Sequence, residues 1–247
     1  MCRNAAARAL LGRALSVTLQ RLRNFLTAVT APAALTATTA LIALTAPCTV
    51  HAQASGPAAA EQLVRQTYFE GLPLARVQAL DDAAGVRLAE MLGDPDEAEH
   101  HANIVVALGL CGCGPAFETL RDFAARPRSA DVPRPDFLAW EQVPYAMGHL
   151  ARVDARALAW LANEAAHAEP GFSYAARSAS ALARQRRAAA VQGLGLAGTA
   201  ASDAELVRLA AAHPQDAFLA RRVARAREIC ARVGTHGIES LEHRGQQ

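Results

Sequence analysis

The stretch that decides the fold is Leu88-Ala89-Glu90-Met91-Leu92-Gly93-Asp94-Pro95-Asp96, which leads into a segment that closes on Ala107-Leu108-Gly109. Leu, Ala, Glu and Met are strong helix formers, so the residues on both sides of the central turn favour helix. The Gly-Asp-Pro-Asp sequence between them is typical of a turn, because glycine and proline interrupt helices. The stretch therefore predicts two consecutive helices with a short connection.

Short segments that end in glycine recur along the chain. They are Ala107-Leu108-Gly109, Ala146-Met147-Gly148, Gly193-Leu194-Gly195 and Arg232-Val233-Gly234, and their final glycines are separated by 39, 47 and 39 residues. We interpret each glycine as a helix C-cap, because glycine readily takes the left-handed conformation that ends a helix. A second, antiparallel helix then follows each of the first three segments. Such a pair cannot bury its apolar stripe alone, and stacking successive pairs buries it.

The Asp94-Pro95-Asp96 turn and the Ala107-Leu108-Gly109 helix end resemble a HEAT repeat of the short, phycobilisome-lyase-like type. The resemblance covers about residues 85–235 and is clearest in the first unit, residues 86–126. It implies an α-solenoid of about four antiparallel helix pairs in a small, curved, right-handed superhelix. Proteins of this family are mostly scaffolds and adaptors, so the resemblance suggests a protein-binding role and no particular reaction.

The later units depart from this pattern. The second contains a proline-rich loop at Pro127–Pro135 and Pro144 inside its helix, and the third follows an inserted stretch around Pro170-Gly171-Phe172. The fourth is barely recognisable.

The composition also favours an all-α protein. The chain has 247 residues, of which 52% are hydrophobic and 5% aromatic. The apolar residues are mostly Ala and Leu, and no long stretch alternates apolar and polar residues, which argues against sheets. We predict helices near residues 58–70, 73–92, 97–110, 115–125, 136–150, 154–167, 175–196, 203–212 and 216–233.

The first 52 residues have the organisation of a secretory signal peptide. They carry five arginines and no acid, residues 25–48 carry no charge, and Val50-His51-Ala52 supplies small residues before Gln53. This order predicts export and cleavage after Ala52, and hence a periplasmic or secreted bacterial protein. A retained membrane anchor, an organellar transit peptide and a lipoprotein signal at Cys48 are the alternatives. Pro47 argues against the lipoprotein, because a small residue is required before the cysteine.

The predicted mature chain has three parts. An N-terminal helical cap spans residues 53–85, the HEAT-like repeats span 86–235, and a flexible polar tail spans 236–247. Beyond residue 52, twenty arginines stand against 23 acidic residues, a net charge of −3. This slightly acidic balance gives no general attraction for nucleic acid.

The cysteines offer the sharpest local chemistry. Cys111 and Cys113 flank Gly112, and His100 precedes them by one helix. Two thiolates and an imidazole suit copper or zinc. The alternatives are small residues in a turn, a local disulfide, and a redox or covalent-attachment role. We expect Cys230 to be a buried free thiol, because it belongs to a helix three units away from this pair.

Two arginine runs lie on helices that we place in successive repeats. They comprise Arg184, Arg186 and Arg187, then Arg221, Arg222, Arg225 and Arg227. Stacking would bring parts of both runs onto one face that attracts anionic groups; a solvated helix face is the alternative. The residues predicted to contact a partner are Arg184, Arg187, Arg221 and Arg225, with Phe172 and Tyr174 on the inserted stretch. The acidic set Asp94, Asp96, Glu97 and Glu99 is better explained as negative charge at a helix start than as a metal loop.

The sequence contains no phosphate-binding glycine loop, no H-E-x-x-H and no G-x-S-x-G, so we predict no enzyme activity. The leading hypothesis is an exported scaffold or adaptor with a protein partner and no cofactor. It would contact a membrane only through an uncleaved leader, and its oligomeric state stays open. The alternatives are a metal- or cofactor-handling protein that uses Cys111 and Cys113, and an anchored structural component of the envelope.

Overall fold

The computed structural model describes residues 55–69, 71–129 and 132–241. These residues form ten α-helices, the 3-10 helix Pro95–His100 and a 3-10 turn over 238–241, with no β-strand among them, so the predicted all-α class is confirmed for this part of the chain. The predicted signal peptide over 1–52 and residues 242–247 of the predicted tail lie outside the described residues.

The helices are numbered in chain order. They are α1 (Pro57–Arg65), α2 (Leu74–Gln78), α3 (Asp82–Gly93), the 3-10 helix η1 (Pro95–His100), α4 (His101–Cys111), α5 (Ala116–Ala125), α6 (Arg134–Leu150), α7 (Ala155–His167), α8 (Ala179–Ala197), α9 (Ala200–Ala212) and α10 (Ala217–His236).

Capping side chains account for two differences from the predicted boundaries. The single helix predicted over 73–92 is two helices, because the Asp81 carboxylate accepts a hydrogen bond from the Ala84 N–H at 2.9 Å and starts α3 afresh. The helix predicted over 203–212 is α9, which begins earlier, at Ala200. Thr199 caps that helix, and its side chain and that of Ser202 each accept the other's backbone N–H at 3.1 Å.

The recurring glycines do not end helices, so their interpretation as C-caps is wrong. Each lies inside a helix: Gly109 in α4, Gly148 in α6, Gly195 in α8 and Gly234 in α10. The left-handed residues that end α4 and α8 come three positions later, at Gly112 with φ 62° and Gly198 with φ 65°.

The recurring glycines lie where neighbouring helices touch. A methyl group on Gly109 would stand 2.5 Å from the Cα of Ala146, and one on Gly148 would stand 2.5 Å from the carbonyl oxygen of Gly193. A methyl group on Gly195 would stand 2.7 Å from the carbonyl oxygen of Ala226, and one on Gly234 would stand 2.7 Å from the carbonyl oxygen of Gly198. Only a residue without a Cβ permits this backbone-to-backbone approach.

Four helices therefore form a contiguous row. Helix α6 packs against α4 on one side and α8 on the other, and α8 packs in turn against α10. Helices α3, α5, α7 and α9 lie against this row, with α7 contacting both α6 and α8. Apolar residues spaced three and four positions apart along α10 are all buried: Leu219, Val223, Ala226, Cys230 and Val233.

Candidate functional site

The most unusual polar group of the described residues is Arg186, which α8 carries into the interior. The residue is 3% exposed. Its Nε donates to the Glu164 carboxylate at 2.8 Å, and its Nη1 donates to the carbonyl oxygen of Trp140 at 2.7 Å. Burial lowers the pKa of Arg186, and the attraction of Glu164 opposes that shift. A buried charge of this kind is stable only when it is paired and hydrogen-bonded.

Proline explains why the Trp140 carbonyl is available. Pro144 lies inside α6, four residues after Trp140. Proline has no N–H, so the carbonyl four residues earlier loses its helical hydrogen bond. Arg186 supplies the missing donor from the neighbouring helix α8. The interior proline is thus the local sequence feature that prepares a place for this side chain.

Two tryptophans enclose the same guanidinium group. The Cζ atom of Arg186 lies 4.5 Å from the ring centroid of Trp140 and 5.1 Å from that of Trp160. Both distances fall within the range of cation–π attraction. Trp140 is buried and Trp160 is half-buried, so one face of this arrangement stays open to solvent.

A second buried arginine secures the loop that follows α5. The side chain of Arg128 is 3% exposed and donates through Nε to Asp136 at 3.0 Å. Its Nη groups donate to the carbonyls of Phe123, Ala124 and Arg126 at 2.9–3.3 Å, which satisfies free carbonyls at the end of α5. Burial lowers the pKa of Arg128, and Asp136 opposes that shift.

These groups meet in a cleft of about 370 Å³, which we call the arginine cleft. Its charged and aromatic lining consists of Arg121, Arg126, Arg128, Arg186, Glu164, Glu169, Trp140 and Trp160. Arg121 pairs with Asp122 at 2.7 Å. Arg126 is exposed and forms no ion pair with any described residue, so it presents an uncompensated positive charge at the rim.

The predicted partner-contact residues Phe172 and Tyr174 pack inward. Phe172 is 5% exposed and meets the Trp140 ring edge-on, with centroids 5.1 Å apart. Tyr174 stacks on Phe137 at 3.7 Å. These contacts anchor the 168–178 segment to α6. The structure therefore gives the two aromatics a packing position and lends no support to direct contact with a partner.

Arg184 and Arg187 line a wider groove next to the arginine cleft. This groove has a volume of about 620 Å³, and we call it the Arg184 groove. Its lining includes the small residues Ala166, Ala168, Ala179, Ser180 and Ala183, together with His167 and Glu169. Arg187 donates to the Ala165 carbonyl at 3.1 Å, whereas Arg184 is exposed and has no ion-pair partner among the described residues. The groove and the cleft share the segment 169–171.

The second arginine run lies elsewhere. Arg221 and Arg225 are exposed on α10, and neither lines the Arg184 groove or the arginine cleft. Arg225 pairs with Glu228 at 2.6 Å. The structure thus brings Arg184 and Arg187 together in one groove. Arg221 and Arg225, which were also predicted to contact a partner, lie outside it.

The predicted metal ligands do not form a site in this structure. Cys111 and Cys113 are joined in a disulfide, and disulfide sulfurs offer no thiolate to a metal ion. Within residues 55–69, 71–129 and 132–241, no group of three or more His, Cys, Asp or Glu side chains is placed to hold a metal, so His100 belongs to no such group. A local disulfide is one of the alternatives that the sequence allows for Cys111 and Cys113. Cys230 is a buried free thiol, as predicted.

The acidic set before α4 also matches its structural interpretation. The Asp94 carboxylate accepts the Asp96 N–H at 2.9 Å and so caps η1. Glu97 forms an ion pair with Arg65, and this pair holds η1 to α1 and lowers the pKa of Glu97.

Sequence reasoning did not identify the arginine cleft. The sequence pattern places Arg186 in a run of arginines and does not single out Trp140 or Trp160. The available signal was Pro144, since an interior proline predicts a free carbonyl at position 140 that needs a donor.

Comparisons of this chain with protein families, with curated proteins and with solved structures find no match. The HEAT-like assignment therefore stays a prediction. Among the residues that the structure describes, no helix is both long and apolar enough to cross a membrane.

Proposed function

We propose that residues 86–235 form an α-solenoid of antiparallel, HEAT-like helix pairs that serves as a binding scaffold. The row formed by α4, α6, α8 and α10 supports this architecture, because each contact in the row uses one of the recurring glycines. Repeats that pack only against their neighbours place equivalent contacts at recurring intervals along the chain. The right-handed superhelix and the antiparallel pairing are part of this proposal, and an experimental structure tests both.

The Arg184 groove is the observation that carries the binding function. It is open, small side chains make up much of its lining, and Arg184 in that lining has no ion-pair partner among the described residues. Small lining residues allow a polypeptide backbone to approach closely, and the two arginines outnumber the single lining acid, Glu169, so the groove attracts acidic side chains. We propose a protein partner that presents an acidic segment to this groove.

A paired charge reversal tests the proposal. Arg184→Glu with Arg187→Glu converts the groove wall from positive to negative, whereas Arg221→Glu with Arg225→Glu makes the same change on α10. We expect a partner captured from the envelope fraction of the source cell by the wild-type chain to be lost with the first pair and retained with the second. Equal capture by both variants would refute the groove as the binding site. Loss with the α10 pair alone would move the site to α10.

Export is a separate part of the proposal. We propose that residues 1–52 direct the chain to the periplasm or cell exterior and are removed after Ala52. The intact mass of the exported protein should match a chain that starts at Gln53. Retention of Met1 in membrane-bound material would favour the anchored structural component instead.

A further inference from the structure

We propose that the arginine cleft binds a single carboxylate group, carried by a small organic acid or by the C-terminus of a peptide. The inference goes beyond the scaffold role, because it concerns a second cavity with its own chemistry. The volume of about 370 Å³ lies within the range of small-ligand sites. The site lies between α5, α6, α7 and the segment 168–178.

Two arginines keep donor capacity for an anion. Arg126 is exposed, lies with its Cζ 5.0 Å from the Phe123 ring centroid, and has no ion-pair partner among the described residues. Its Nη2 donates to the Leu92 carbonyl at 3.4 Å, and its Nε and Nη1 make no hydrogen bond within the described part of the chain. Arg186 uses Nε and Nη1 for Glu164 and Trp140, and its Nη2 makes no hydrogen bond within the described part of the chain. Free N–H groups on a guanidinium match the planar geometry of a carboxylate.

The environment of Arg186 strengthens an interaction with an anion. The side chain is 3% exposed and is enclosed by two indole rings, so water screens its charge poorly. Electrostatic attraction rises as the local dielectric constant falls. Arg128 lies near enough to repel Arg186, and an anion placed in the cleft offsets this repulsion.

The acids in the lining favour one negative charge over two. Glu164 and Glu169 both line the cleft, and only Glu164 is engaged by Arg186. A doubly charged phosphate meets greater repulsion from these carboxylates than a singly charged carboxylate does. The tryptophan walls add apolar surface for the carbon skeleton of the ligand.

Tryptophan fluorescence of the full chain provides a direct assay. The sequence contains two tryptophans, and both line the arginine cleft. The protein is titrated at constant ionic strength with acetate, with an N-acetylated alanine peptide that has a free C-terminus, with the same peptide amidated, and with inorganic phosphate. Calorimetry on the same samples measures the number of ligands bound per chain.

The test variant is Arg126→Gln, with Arg76→Gln as its control. Both arginines are exposed and have no ion-pair partner among the described residues, but Arg76 lies on α2, outside the cleft lining. Because Arg126 is exposed and its one hydrogen bond, to the Leu92 carbonyl, is long at 3.4 Å, its loss should leave the fold intact. We expect Arg126→Gln to weaken carboxylate binding by about tenfold, the effect of one charge-assisted hydrogen bond.

Each outcome decides the proposal. A saturable response to acetate supports a small acid as the ligand, and a response to the acid peptide alone supports a peptide C-terminus. No saturable response, equal binding of the amidated peptide, tighter binding of phosphate, or equal effects of Arg126→Gln and Arg76→Gln would overturn it. An acetate response that is unchanged in the Arg184→Glu, Arg187→Glu variant supports a carboxylate site in the arginine cleft that is separate from the Arg184 groove, and loss of the response in that variant would overturn this assignment.

Discussion

Replacing Gly148 with alanine tests the helix contacts that organise the row. Alanine normally stabilises a helix interior relative to glycine by about 1 kcal/mol. At position 148 the added methyl group would stand 2.5 Å from the carbonyl oxygen of Gly193 and 2.8 Å from its Cα, so α6 and α8 must separate. Overpacking of a tight interior typically costs about 1–3 kcal/mol. Because both obstacles are backbone atoms, we place the cost at or above the upper end of that range.

The net expectation is a loss of about 2 kcal/mol in the free energy of unfolding, after the gain in helix propensity is subtracted. For a domain of this size, that corresponds to a fall in Tm of about 4–8 °C. Circular dichroism during thermal and urea denaturation measures the change.

Gly93→Ala provides the matched control. Gly93 also lies in a helix, the last position of α3, and nothing lies within 4 Å of the place where its Cβ would stand. We expect this variant to be neutral or slightly stabilised. If Gly148→Ala behaves like Gly93→Ala, the close approach of α6 and α8 does not exist in the protein.

Three further predictions concern individual groups. Burial, together with the nearby Arg152, lowers the pKa of His149 from 6.5 to about 4. The folded state therefore favours the neutral imidazole. We expect up to about 3 kcal/mol of the free energy of unfolding to be lost as the pH falls from 6.5 to 4. His149→Gln should flatten this pH dependence in urea titrations, and an unchanged slope would assign it to another group. The Cys111–Cys113 disulfide closes a ring between positions two residues apart, so replacing both cysteines with serine should cost only about 1.5 kcal/mol, and a loss above about 3 kcal/mol would show that the bond does more than restrict the unfolded chain. Asp81→Ala removes the carboxylate that starts α3, and we expect a loss of about 1 kcal/mol, measured by thermal denaturation, with Asp81→Asn retaining most of the stability.

The sequence predicted the helices well, because helix propensity and apolar spacing depend on residues that are close together in the chain. The apolar stripe from Leu219 to Val233 follows helical spacing, and every member is buried. The free, buried state of Cys230 followed from its distance along the repeats. The break between α2 and α3 was missed, although Asp81 is a typical N-cap residue, because the surrounding residues are all compatible with helix.

The structural role of the recurring glycines could not be predicted from the residues around them. Glycine serves equally well as a left-handed C-cap and as a point of close helix contact. The interval between Gly109 and Gly148 indicates a repeat but does not distinguish these two uses. The distinction depends on which residue of the neighbouring helix lies opposite, such as Ala146 for Gly109, and that partner is distant in sequence.

The candidate site was harder to predict, for a related reason. Arg186 sits beside Arg184 and Arg187 in the sequence, yet its partners come from α6 and α7. Whether an arginine is buried or solvated depends on those remote partners. Phe172 was likewise predicted to contact a partner because it belongs to an inserted stretch, and in the structure its ring packs against that of Trp140.

The backbone contacts at the recurring glycines also limit how the sequence can change over time. Where Gly148 meets Gly193, no side chain separates α6 from α8, so no rotamer can adjust to absorb an added methyl group. If one helix gained a larger residue at this contact, the other helix could not compensate with a smaller one, because it already carries glycine there. Relatives of this chain should therefore keep glycine at both positions together, or lose both together along with the close crossing, and single exchanges should be the rarest class.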